Sequence, residues 1–211
     1  MQVSFGEVMS GRQRIADYVF ARKAQGTFSV VDVGGSAIGW SLPVADAFVD
    51  INPCNTTKLQ FNIDICRKEN WRKILDYVDA NGKFDYCICT HTLEDIYNPY
   101  LVLDMMPLIA KSGVITVPSV KTETNFIESK NWSGFVHHRY MFGHAQGAMV
   151  VAPKLPIVEG LANRVILNEV KEIRYEWSET IPYTVFMDNY LGPNTDTVLQ
   201  NYERFIKDQL A

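Results

Sequence analysis

Asp32, Gly34, Gly35 and Ser36 stand together in residues 30–36 (VVDVGGS), and Asp50 closes a second apolar run, AFVD. An apolar run entering a double glycine, a short crossover and a second run ending on an acid form the front half of a nucleotide-binding α/β unit. Glycine lets backbone approach a ligand where a side chain would collide. An acid at the end of the second strand is placed to accept hydrogen bonds from ribose hydroxyls, so these residues predict an adenosine-containing cofactor. In the dinucleotide register G-x-G-x-x-G, the three positions fall on Gly34, Ser36 and Gly39. The middle glycine is the one that admits a pyrophosphate, and Ser36 replaces it. Residues 40–46 (WSLPVAD) allow only a short, proline-interrupted helix, a poor seat for phosphate. S-adenosylmethionine has no phosphate and tolerates both features, so the substitution favours it over a dinucleotide.

A second group of residues suits an acceptor. Residues 132–140 (WSGFVHHRY) bring stacking surface, two imidazoles and a guanidinium into one short segment. Aromatic faces with a few convergent polar groups suit a sugar ring, and a histidine suits deprotonation of its hydroxyl. His137 or His138 is the expected general base, with His91, at the open end of a strand, as the alternative. Trp132, Arg139 and Tyr140 are the expected acceptor contacts. Methyl transfer is an in-line displacement that chiefly needs alignment, and Trp40 or Tyr97 offers an aromatic face to a cationic sulfur. Glu94, Asp95 and Glu123 offer oxygens to a divalent metal, but they form no compact ligand set and no metal site is assigned. Cys87, Cys89 and His91 share one face of an extended strand. Core filling is the preferred reading of the two cysteines, and Cys54 and Cys66 lie outside that strand.

Alternating elements position these groups. Helical spacing is expected over 7–24, 67–80, 99–110 and 196–210, with Asn81-Gly82 ending the second of these. Strands are expected at 30–33, 47–51, 58–64, 84–90 and 113–118, then at 148–152, 172–177 and 183–187, these last including an antiparallel hairpin. The early alternation argues for a mostly parallel sheet with helices on both faces. Residues 119–147 lack clean periodicity and read as a functional loop or lid.

With 211 residues and 47% hydrophobic composition, the chain can bury one good core, so 1–211 is expected to be a single domain. Its parts would be a cofactor-binding half (1–120), an acceptor loop (121–147) and C-terminal strands and helix (148–211). A net charge of −4 provides no global basic field for nucleic acid. No apolar run approaches the roughly 18–20 residues of a membrane span. The N-terminus lacks a secretory profile, and the cysteines make no C-x-x-C pair, so a reducing, cytoplasmic setting is expected.

VVDVGG, FVDIN, FNIDIC and FDYCICTHTLEDIYNPYLVLDMMPLIAKSGVITVPS together resemble the motif series of class I S-adenosylmethionine-dependent methyltransferases of the type 11 kind, over about residues 10–120. The resemblance implies a Rossmann-like, seven-stranded sheet with the cofactor across the carboxyl ends of the first strands. Asp32, Gly34, Gly35 and Ser36 would cradle the methionine end, Asp50 would take the ribose, and Ile51 and Asn52 would belong to the same set. Asp64 and Ile65 would flank the adenine, with Thr90 and His91 beneath the sulfonium. Ser36 and Ile38 stand where that family usually has glycines, and Asp95 where a histidine is common. The HHRYMFG segment, more weakly, resembles methyltransferase modules found beside glycosyltransferases. That likeness implies O-methylation of a glycan sugar, with a deoxyhexose such as rhamnose as one candidate, and a glycosyltransferase domain or partner. Two other readings stay open: an NAD-dependent oxidoreductase, for which no Tyr-x-x-x-Lys pair is present, and a non-catalytic cofactor-binding module.

Overall fold

The computed structural model describes residues 1–36, 38–53, 55–129, 132–161, 171–186 and 194–210. In chain order the elements are β1 (Gln2–Glu7), α1 (Val8–Lys23), β2 (Val30–Val33), β3 (Ala47–Asp50), β4 (Leu59–Asn62), α2 (Arg72–Asn81), β5 (Tyr86–Thr90), α3 (Pro99–Ile109) and β6 (Ser112–Pro118). There follow α4 (Val120–Asn125), β7 (Tyr140–Ala145), β8 (Ala148–Pro153), α5 (Val158–Leu161), β9 (Lys171–Ser178), β10 (Tyr183–Val185) and α6 (Thr195–Leu210). Cys54, and Met187 at the end of the strand expected over 183–187, lie outside the described residues.

Seven strands form one sheet in the order β1-β9-β6-β5-β2-β3-β4. The sheet is mixed rather than mostly parallel. From β4 through β6 the pairings are parallel, whereas β9 runs antiparallel to both β6 and β1. Strand β1 was not foreseen, because its half-exposed residues show little apolar alternation and its pairing lies far away on β9.

Period-two alternation assigns the two faces. Val30 of β2, Tyr86 and Ile88 of β5 and Val114 of β6 pack with Ile15 and Val19 of α1. Val31 and Val33, Cys87 and Cys89, and Ile115 and Val117 point the other way, onto the apolar side of α2 and α3. The two cysteines are therefore core, and burial pushes both thiols well up. Local chemistry sets the helix ends. Asn98 accepts from the Leu101 N–H at 3.3 Å before Pro99 opens α3, and Gly82 ends α2 at φ +84°.

Residues 119–147 are not one long loop. Ser119 caps the short helix α4, and β7 and β8 form an antiparallel hairpin joined through Gln146 and Gly147, both at positive φ. Strand β10 joins this hairpin in parallel on β8 and does not pair with β9, so the expected C-terminal hairpin is replaced by a second, three-stranded sheet. One side of that sheet places Phe142, Met149 and Val151 in the main core, and the other packs Met141, Val150 and Ala152 against Tyr202, Phe205 and Ile206 of α6. The Tyr175 hydroxyl of β9 donates to Gly143 O at 2.7 Å, tying the two sheets together. Among the described residues no helix is long and apolar enough to cross a membrane.

Phe142 is 1% exposed at the junction of the two sheets. Phe142→Ala is expected to cost about 3–5 kcal/mol. In urea unfolding the midpoint should fall with the slope unchanged, and an unshifted midpoint would mean that the second sheet does not share the cooperative core.

Candidate active site

The strand order reverses at β2, which has β3 on one side and β5 on the other. In open α/β sheets, ligands bind beyond the carboxyl ends of the strands at such a point. A cavity of about 580 Å³ lies there, walled by Gly34 after β2, Asp50, Ile51 and Asn52 after β3, Ile63 to Cys66 after β4, and His91, Thr92, Asp95, Ile96 and Tyr97 after β5, with Arg139 closing it. Of the residues expected to hold a cofactor, Gly34, Asp50, Ile51, Asn52, Asp64, Ile65 and His91 are in this wall. Asp32, Gly35, Ser36 and Thr90 are not.

Asp32 acts from beneath. It is 1% exposed, Ser41 Oγ donates to its Oδ2, and its Oδ1 has no hydrogen-bond partner. Burial pushes its carboxyl up to about 7, against the lowering effect of the Ser41 bond. A Cβ at Gly35 would overlap this carboxylate, and a Cβ at Gly34, already at φ +79°, would overlap Thr92. The double glycine is thus required by its two neighbours as well as by close approach from the cavity. Asp50 Oδ1 accepts from Asn52 N at 2.7 Å, which orients the carboxylate and leaves Oδ2 for a ligand. Asp64 is held similarly, by Cys66 N at 2.9 Å and Arg67 Nε at 3.1 Å. Tyr97 supplies the aromatic wall. Trp40, the other aromatic considered, packs instead against the core beneath α1.

His91 sits at φ +49° between two buried acids, with Nε2 3.0 Å from Glu172 Oε2 and Nδ1 3.3 Å from Glu94 Oε1. Burial pulls the imidazole pKa down, but the two carboxylates outweigh it and raise it to about 9. With Nε2 bonded to Glu172 and Glu94 beside Nδ1, the site favours the His91 cation, which does not suit the alternative base role. Neither glutamate partner was expected: Glu172 comes from β9, 81 residues away, and no local motif marks it.

A second cavity, of about 480 Å³, shares His91 and Asp95 with the first and is otherwise bounded by α1 (Val8, Arg12), Glu94, Phe135, His137 and His138. The segment 132–140 therefore delivers its histidines and its arginine to adjoining cavities, the arginine to the first. Its aromatic ends go elsewhere. Trp132 lies with its ring centre 6.0 Å from Lys154 Nζ, and the Tyr140 hydroxyl donates to Tyr97 O at 3.2 Å. His138 is buried, its Nδ1 2.6 Å from Glu123 Oε1, and Glu123 is itself fixed by Lys154 Nζ at 2.6 Å. That arrangement turns Nε2 toward Asp95 at 3.6 Å. His137, largely exposed, points its own Nε2 at the same Asp95 oxygen, also at 3.6 Å. The fold thus assembles from Asp95, His137 and His138 a compact group that the sequence order hides.

No protein-family model matches the chain, and no curated protein matches it. Solved structures similar to it include methyltransferases holding SAH. The plantazolicin methyltransferase BpumL, in complex with a triazolic desmethylPZN analog and SAH, is 15% identical over 57% of this chain and 51% of its own, with a TM-score of 0.37. The N-terminal domain of EvdMO1, in the presence of SAH and D-fucose, is 12% identical over 74% of this chain and 65% of its own, with a TM-score of 0.30. The chain spans about half the length of the BpumL structures.

The His91 cation makes a pH prediction. Its folded pKa of about 9 lies above the ordinary histidine value of about 6.5. Its contribution to stability is therefore complete below about 6.5 and is lost as pH rises through about 9. His91→Gln should lower the melting temperature at pH 6.5 and flatten its fall between pH 6.5 and 9. Parallel melting curves for the two proteins across that window would show that His91 carries no such charge.

Proposed function

We propose that the chain is an S-adenosylmethionine-dependent methyltransferase that O-methylates a sugar hydroxyl of a glycan, a deoxyhexose being one suitable acceptor. The observation that carries this reading is the cavity at the switch point of the sheet. Gly34 lines it above the buried Asp32 carboxylate, whose Oδ1 has no hydrogen-bond partner, and its rim carries Asp50. Fit to the cofactor rests on three features: the side-chain-free Gly34 backbone in the cavity wall, the partnerless Asp32 Oδ1 beneath the glycine turn, and the oriented Asp50 carboxylate that suits a ribose diol. Asp64 and Ile65 would border the adenine, Ile51 and Asn52 the ribose side, and Tyr97 with the His91 turn the methionine side.

When bound, that cofactor supplies an electrophilic methyl group on a cationic sulfur. The chain's own residues align the acceptor and remove its proton. The second cavity is placed to hold the sugar, with Asp95 and His91 at the boundary between acceptor and cofactor. His138, held by Glu123 through Nδ1, presents Nε2 for the hydroxyl proton, and His137 stands beside it. Arg139 lies on the cofactor side of the boundary. Trp132 and Tyr140 shape the segment from behind.

Isothermal titration with S-adenosylmethionine, S-adenosylhomocysteine and NAD tests the class. Micromolar binding of the two sulfur compounds with NAD silent is expected, and binding of NAD alone would overturn it. Asp50→Ala removes hydrogen bonds to a charged acceptor, each worth about 1.5–3 kcal/mol, and should weaken S-adenosylhomocysteine about tenfold or more. With labelled cofactor and a panel of glycan acceptors, His138→Gln should retain cofactor affinity and lose turnover. Unchanged turnover would remove His138 from the reaction.

A further inference from the structure

Asp95 Oδ1, His137 Nε2 and His138 Nε2 lie within 4.8 Å of one another, and we infer that they form a binding site for a single divalent transition-metal ion, of the zinc, cobalt or iron class, at the seam between the two cavities. Ligands about 2.0–2.2 Å from such an ion in tetrahedral geometry stand about 3.4 Å apart. Both histidine nitrogens are already 3.6 Å from the Asp95 oxygen. Only a small closing movement is needed, and His137, with 61% of its side chain exposed, is free to make it.

Three observations favour an ion over a simple charge cluster. Asp95 Oδ1 is shut off from water yet has no hydrogen-bond partner, an unsatisfied state that an ion would relieve. The two imidazoles, set edge to face with ring centres 4.5 Å apart, both aim their Nε2 atoms at that one oxygen, so the three ligand atoms converge on one point. The other nitrogen of His138 meets the buried Glu123 carboxylate at 2.6 Å, the carboxylate–histidine arrangement that fixes tautomer and ring orientation in metal sites. An imidazole pair selects a transition metal over magnesium or calcium. Three protein ligands leave coordination positions open toward the cavity walled by Arg12 and Phe135, where a hydroxyl or water oxygen fits.

Whether the ion binds does not depend on the methyl-transfer reading. Only its role there rests on that reading, and it would make His138 a ligand in place of a proton acceptor. The test uses the full chain, stripped with a chelator and titrated with Co²⁺ and then Zn²⁺. One equivalent of Co²⁺ giving visible ligand-field absorption, displaced by Zn²⁺, is expected. Asp95→Asn and His137→Ala should each weaken binding at least about tenfold. His144→Ala, on β7 and outside the cluster, should not. His137 is exposed, so its replacement leaves the fold intact, and circular dichroism verifies this. Absence of stoichiometric Co²⁺ binding, or binding unchanged in His137→Ala, overturns the site. S-adenosylhomocysteine titration of the same samples is read separately, so a failed metal site and a failed cofactor reading cannot be confused.

Discussion

The imidazolium of His91, held between the buried carboxylates of Glu94 and Glu172, is the constraint around which the site is organised. It joins the turn after β5 to β9 across the intervening β6, and Glu172 in turn fills the space that a side chain at Gly11 of α1 would need. A buried ion group of this kind is specified as much as stabilised. Removing one member strands the others without compensation, because each was desolvated on the assumption of its partners. The left-handed backbone at His91 is held in place by the same contacts, and it turns the chain so that Thr92, Asp95 and Tyr97 line the first cavity.

Much of the first cavity was legible because its residues are local. Gly34 and Gly35 follow the short buried strand β2 and Asp50 ends β3, so the run of apolar residues sets both the strand and the place where it ends. Residue type alone did not separate wall from support. Asp32 and Asp50 look alike in sequence and have the same parity, since Asp32 pairs with Phe48, two residues before Asp50. Position along the strand separates them: Asp32 lies inside β2 and is buried beneath the glycine turn, whereas Asp50 is the last residue of β3 and reaches the cavity.

The second cavity was less legible for a different reason. Helix α4 is six residues of mostly polar sequence buried by contacts with other elements, so it carries no amphipathic signal of its own. Strand β7 carries Gly143 and His144, which weaken its pattern until β8 pairs with it. Glu123 reads as an ordinary acid until α4 sets it under His138 with Lys154 behind it. The histidine pair was visible as chemistry, but its geometry belongs to partners contributed by β5's loop, α4 and the end of β8.

His91 and Asp95 form walls of both cavities. Such a seam sets unequal freedoms across the molecule. Changes at Val8, Arg12 or Phe135 alter the second cavity alone, and changes at Gly34, Asp50 or Asp64 alter the first alone. The two seam residues have no such liberty, since every change in them is read on both sides. A substitution at His91 or Asp95 therefore reshapes both cavities at once, so neither cavity can be retuned there without disturbing the other.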